Sequence, residues 1–440
     1  MFLKYVWAFL FTLLLSVLSL GGSVQPAAAE RGIAFGLNGI ADWSTQHPFI
    51  DVMKSGRLWI GHLPNQWGGV DFEDMLADGV FDEHGWPVRI PDNVTKLESL
   101  ILTDQSPDAI HLNGRYVVLY DGQGDLSVSG RARVATREPG SLVFHYSPGS
   151  GSVGIAISAT NADDPIRNIR VIPEKHLETY LAGGVFNPDW LERIQKVQVI
   201  RFMDWMFTNG SPIETWADMP DARDFSYSWR GVPLTVMIDL ANSIGADPWF
   251  NIPHLADDDL VRRFAETVKS EIDQSRVVYV EYSNEVWNFI FEQAHWAGQQ
   301  AEKLWRETGD GWVQFYGYKA ASAMKIWTDV YAEDAEERLN RVVSVHTGWP
   351  ELEQSILLGD RAQAALGFAP VQMFDSYAVT GYFAGELGQP GTLDTAFKTA
   401  LSKDVPDGRA KRSSGVGLRV YVPEHRFDRM HQMVAEFVNT

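Results

Sequence analysis

Cysteine is absent from this chain of 440 residues. Disulfides, thiolate nucleophiles and cysteine-based zinc sites are therefore excluded. Positive charge is scarce as well: 37 Lys and Arg stand against 57 Asp and Glu, a formal net charge of -20. Nucleic acid is a poor partner for such a chain, because phosphates demand patches of Lys and Arg. An anionic substrate would need a locally basic cleft, and the plain reading of the acidity is solubility. Beyond the N-terminus there is no long apolar run, whereas a membrane-spanning helix takes about 20 residues. The spacings H-x-H and H-E-x-x-H, by which histidines grip a metal, do not occur either.

The N-terminus has a different character. Lys4 gives a short positive start, Tyr5 to Leu20 is uncharged and apolar, and Pro26-Ala27-Ala28-Ala29 offers small residues ahead of Glu30. This pattern predicts a cleavable signal peptide over residues 1–29, hence a secreted or periplasmic protein with no stable membrane anchor after cleavage. An uncleaved anchor is the alternative, but the apolar run is short for a span. The remaining length suits a barrel plus an insertion. Sixteen tryptophans are many for this length. Saccharide clefts are rich in flat aromatic rings, although core packing accounts for most tryptophans in any protein.

Residues 30–85 read as the start of a barrel, with a strand IAFGLNG at Ile33 to Gly39, a polar loop, and a helix over Phe49 to Trp59. Residues 86–173 break that pattern. Short runs such as RYVVLYD, SLVFHYS and SVGIAISAT, punctuated by Gly, Pro, Asp and Asn, predict a small β-sandwich inserted after the first βα unit. Alternation returns over 174–440. Strands are expected at Val199–Trp205, Asp247–His254, Val277–Trp287, Arg341–Trp349 and Phe374–Phe383. Helices are expected at Asn187–Lys196, Pro233–Ser243, Asp258–Ile272, Phe291–Arg306, Trp312–Asp334 and Glu351–Leu366. Recurring β-then-α order predicts a parallel sheet, and at this length a TIM (β/α)8 barrel. An open doubly wound sheet is the alternative, but GLNGIADW lacks the G-x-G-x-x-G turn. The strand count falls short of eight. Leu418 to Val422 offers a seventh strand, and Phe427, Met430, Val434 and Phe437 then trace one helix face, so either the barrel is incomplete at its C-terminus or the count misses a strand.

Polar residues gather at the C-terminal ends of these strands, where barrel enzymes build their sites. Strand four ends in Tyr282-Ser283-Asn284-Glu285-Val286-Trp287-Asn288. An Asn-Glu pair at the end of strand four, followed by Trp, resembles the acid/base motif of clan A glycoside hydrolases, which are (β/α)8 retaining enzymes with glutamates on strands four and seven. The resemblance runs from Arg201 to Phe383 as a pattern of strand ends and leaves out the β-rich insertion. It implies a glycosidase acting on a β-linked polysaccharide or oligosaccharide, with Glu285 as the proton donor and no cofactor. Protonating a glycosidic oxygen near neutral pH requires a raised carboxyl pKa, and burial among Tyr282, Trp287 and Phe289 is the expected cause. Asn284 is expected to bond the sugar 2-hydroxyl, and Trp287 to line the site. Glu281, on the same face but deeper, is either a second site carboxylate or part of a core network.

The resemblance also assigns Arg201 and Asp204 on strand two, His254 on strand three, His346 on strand five, Tyr377 and Tyr382 on strand six, and Asn38 and Trp43 after strand one to substrate binding. Each alone has an ordinary structural explanation, and their shared position at strand ends is what joins them. The nucleophile falls to Glu424 in LRVYVPEHRF, which equally reads as a capping carboxylate of the last helix. The opposing reading is a non-catalytic carbohydrate-binding or matrix protein with a degenerate or truncated barrel.

Overall fold

The computed structural model describes residues 33–306, 308–346, 348–349, 351–382 and 417–421. The expected signal peptide, Glu424 and the terminal helix lie outside the described residues. Strand β1 (Ile33–Gly36) is the first element among the described residues. Nine strands follow: β2 (Ile60–His62), β3 (Gly69–Val70), β4 (Lys96–Ile101), β5 (Gly114–Asp121), β6 (Gly124–Gly130), β7 (Arg133–Glu138), β8 (Ser141–Tyr146), β9 (Val153–Thr160) and β10 (Arg167–Pro173). They form a five-stranded sheet, β3-β2-β4-β9-β6, and a four-stranded sheet, β10-β5-β8-β7. Alternation along each strand gives the pair a common core: Leu97, Ile155 and Ile157 from one sheet meet Val118, Phe144 and Val171 from the other.

This β-rich region begins at Ile60, ahead of the expected residue 86, because β2 and β3 are too short to register as periodic runs. The helix expected over Phe49 to Trp59 is a single 3-10 turn, Val52–Ser55, started by the Asp51 side chain and ended at Gly56. The strands therefore follow β1 with no intervening α-helix of a barrel unit.

The second half holds β11 (Val197–Arg201), β12 (Asp247–Ile252), β13 (Val278–Tyr282), β14 (Leu339–Val345) and β15 (Ser376–Tyr382). With β1 they make a curled six-strand parallel sheet, a half-barrel in the order β1-β11-β12-β13-β14-β15. All six strands coincide with expected ones. The connecting helices match too, and their caps explain where they start and stop. Asn187 caps Pro188–Ile194, Asp257 caps Asp258–Glu271, and Gly245 in the left-handed region ends Leu234–Ile244. The helix expected over Glu351–Leu366 is split at Gly359 into Leu352–Leu358 and Asp360–Leu366.

A further strand, β16 (Gly417–Tyr421), pairs with β15 but runs antiparallel, with Tyr421 opposite Ala378 and Gly417 opposite Tyr382. The expectation of a seventh barrel strand here is thus corrected. A βα repeat would deliver a parallel strand, whereas β16 enters at the C-terminal end of β15 and leaves at the other.

The period of two along each strand divides the half-barrel into two faces. Ile200, Phe250, Ile252, Val280, Tyr282, Val343, Val345 and Val379 face the helices and belong to the main core. The opposite parity faces the concave side. There Trp249, Val342 and Ala378 form a small apolar layer with Val199 and Tyr279. One step further along the strands come Arg201, Asn251, Glu281 and Ser344, a polar layer between that floor and the strand ends.

Candidate active site

The polar layer centres on Glu281, whose side chain is fully buried. Its Oε2 accepts from Arg201 Nη2 (2.7 Å), Asn251 Nδ2 (2.8 Å) and Trp249 Nε1 (3.1 Å), and its Oε1 from Ser344 Oγ (2.7 Å). A carboxylate removed from water needs this density of donors. Glu281 is therefore a core network residue, the second of the two readings open from sequence. Arg201 lies 5.2 Å from the Trp249 ring, and the same Nη2 reaches Asn284 Oδ1 at 3.1 Å.

Past Tyr282 the chain turns sharply. Ser283 and Glu285 both adopt positive φ, 57° and 44°, a region that costs a non-glycine residue about 1–3 kcal/mol. Three successive carbonyls in this turn each receive a donor: Ser283 O from Asn251 Nδ2 (2.8 Å), Asn284 O from Gln293 Nε2 (2.7 Å) and Glu285 O from Asn288 N (2.8 Å). Asn209 Oδ1 completes the scaffold by accepting from both Asn284 Nδ2 (2.9 Å) and Gln293 Nε2 (2.8 Å). The strained turn is over-determined by hydrogen bonds, as a preorganised site requires. It holds Asn284 buried, while Glu285 is half-buried with Asn288 Nδ2 donating to its Oε2 at 3.1 Å.

The aromatic surroundings differ from expectation. Tyr282 has helix-facing parity and its hydroxyl donates to the His254 carbonyl at 2.6 Å. Trp287 is buried in the main core, so it is not an open platform for a sugar ring. Phe289 is 46% exposed and does not shield the carboxyl. Tyr377 is also corrected: it sits opposite Val343 and packs on the helix-side core, because alternation turns it away from the concave face. Tyr382 ends β15, and its side chain lies outside the described part of the structure.

Other expected residues do surround the strand ends. Asp204 follows β11 and is half-buried beside Gly39 of the loop after β1. Burial pushes its carboxyl above the usual range, and nearby Arg201 partly offsets that. His254 follows β12, buried edge-on to Trp296 at 5.4 Å, and burial lowers its pKa to about 4. Its Nδ1 has no hydrogen-bond partner among the described residues. His346 follows β14 and accepts from Gly348 N at 2.9 Å. Asn38 is exposed. Trp43 is 61% exposed, with the Arg57 guanidinium 5.7 Å from its ring. Its neighbour Asp42 is buried and anchors the loop, accepting from Arg57 Nε (3.1 Å) and Nη2 (2.9 Å) and from the Thr103 hydroxyl.

Sequence reasoning missed Asn209, Asn251, Gln293 and Ser344, which belong to no motif. Asn251 and Ser344 carried one signal, a polar residue at a strand position of concave parity. Among the described residues, no group of three or more His, Asp or Glu is placed to hold a metal ion, and no helix is long and apolar enough to cross a membrane. No family model matches the chain, and neither a curated protein nor a solved structure matches it.

Proposed function

We propose that this protein is an exported glycoside hydrolase whose half-barrel is an incomplete (β/α)8 barrel and whose proton donor is Glu285. The observation that supports this best is the turn after the fourth parallel strand. It presents a half-buried carboxyl on a strained backbone, next to an asparagine tied to an arginine of the second strand. Cleavage of a β-linked polysaccharide or oligosaccharide then follows the retaining route. Glu285 gives its proton to the glycosidic oxygen as the C–O bond breaks, and a second carboxylate, Glu424 in this proposal, bonds to the anomeric carbon from the opposite face. Water, deprotonated by Glu285, then releases the sugar. The two carboxyls would lie about 5–5.5 Å apart. Asn284 is assigned to the sugar 2-hydroxyl, and no cofactor takes part.

A second reading is non-catalytic carbohydrate binding. It is favoured by the antiparallel β16, which stands where a barrel places the parallel strand of its nucleophile. The deciding experiment measures reducing-sugar release from a panel of β-linked polysaccharides by the full chain and by Glu285→Gln. Release that vanishes in the variant upholds hydrolysis. Saccharide binding without release, unchanged in the variant, upholds the second reading.

A further inference from the structure

The apolar side chains beside Glu285 are not scattered. Phe289 lies four residues beyond it, and Trp349 three residues beyond His346, so the two sit past the C-terminal ends of the neighbouring strands β13 and β14. Between them stands Trp312, at the start of the helix Gly311–Tyr331. Ring centroids are 5.0 Å apart for Phe289–Trp312 and 6.0 Å for Trp312–Trp349. Trp312 is rooted in the main core. Phe289 and Trp349 instead leave 46% and 43% of their surface in water. Core packing explains the first residue but not the other two, whose exposed faces no described residue covers. Exposed aromatic rings that touch one another, rather than lying scattered, are the kind of surface that ligands use. Its edges carry hydrogen-bonding groups, Asn288 next to Phe289 and the imidazole of His346.

We infer that Phe289, Trp312 and Trp349 form a stacking shelf for the sugar unit on the leaving-group side of Glu285. The inference rests on the glycosidase reading for its orientation. A pyranose presents axial C–H groups on its faces and hydroxyls at its rim. Such a ring lies flat on an exposed indole while its rim reaches polar neighbours. The group that protonates the leaving oxygen must touch the unit carrying that oxygen, and Phe289, the first ring of the shelf, follows Glu285 by four residues on the loop after β13. The leaving group is then itself a sugar, and the substrate an oligosaccharide or polysaccharide rather than a glycoside of a small alcohol.

The test uses the full chain carrying Glu285→Gln, titrated calorimetrically with cellohexaose, xylohexaose, mannohexaose and laminarihexaose. At least one is expected to bind saturably, with Trp349→Ala raising its Kd about tenfold and Phe289→Ala raising it less. Trp349→Phe, which keeps a smaller ring, should recover part of the loss and controls for folding. No saturable binding to any of the four, or a Kd unchanged by both alanine variants, overturns the shelf. A shelf that instead captures a protein gives that unchanged Kd. Turnover by the parent with an unchanged Kd in Trp349→Ala sinks the shelf and leaves the hydrolase. Binding through Trp349 with no turnover by the parent sinks the hydrolase and leaves the shelf.

Discussion

Replacing Glu281 by Gln is the most informative single perturbation of this fold. Gln has nearly the same volume, and its amide can keep the geometry: the oxygen accepts from Asn251 and Trp249, and the nitrogen donates to Ser344 Oγ, which can accept as well as donate. What disappears is the negative charge opposite Arg201, whose side chain is 11% exposed and 2.7 Å away. Removing one partner of a buried ion pair costs about 3–5 kcal/mol, because the other is left charged in a medium that solvates it poorly. Against a total stability of about 5–15 kcal/mol for an ordinary domain, that is about a fifth or more. Urea unfolding followed by near-ultraviolet circular dichroism should show the loss as a lower midpoint at constant slope. Arg201→Met added to Glu281→Gln should recover part of it, because the orphaned charge is gone. A loss under about 1 kcal/mol in the single variant would refute the view that this carboxylate organises the concave face.

Three further outcomes are expected. His254 is neutral in the fold, with a pKa of about 4 against 6.5 when free. As pH falls below 6.5 the unfolded chain gains a proton that the fold refuses, so stability is lost down to pH 4, by up to about 3 kcal/mol. Buried Asp51 and half-buried Asp204, with raised pKa values, act in the opposite sense. The difference between the stability–pH curves of the parent and His254→Gln is therefore the diagnostic measurement, and a constant difference would refute it. Gly317→Ala would place a Cβ 2.1 Å from the Ile356 carbonyl and should destabilise by about 1–3 kcal/mol in thermal unfolding. Asp42→Ala should cost about 1–3 kcal/mol in thermal unfolding, because Arg57 and Thr103 lose the carboxylate that ties the loop down.

The sequence made the half-barrel legible because its strands are short runs between turn residues, and several connecting helices carry a cap or stop, Asn187, Asp257 and Gly245 among them. Legibility failed where a signal was shorter than its period. Gly61 and Gly69 sit in strands of three and two residues, too brief to alternate visibly. It failed again for side-chain direction. Tyr377 and Trp287 are aromatics near strand ends by position, yet one faces the helices by parity and the other is turned into the core past a left-handed bend. Glu285 and Asn284 were legible because their adjacency is local. Their supports Asn209, Asn251 and Gln293 were not, because only the fold brings them together.

The loop clamp at Asp42 has an engineering consequence. Arg57 and Thr103, which hold that carboxylate, flank strands of the β-rich region, and Phe225, from the segment joining β11 to β12, is buried in the β-rich core against Trp59 at 5.6 Å. The two halves have thus exchanged parts. Excising residues 60–173 as a cassette would strip Asp42 of its Thr103 partner and expose a phenylalanine, and transplanting the cassette would carry a hole shaped for a ring left behind. The region cannot be cut and pasted as a module, and a graft needs residues 42–59 and Phe225 to travel with it.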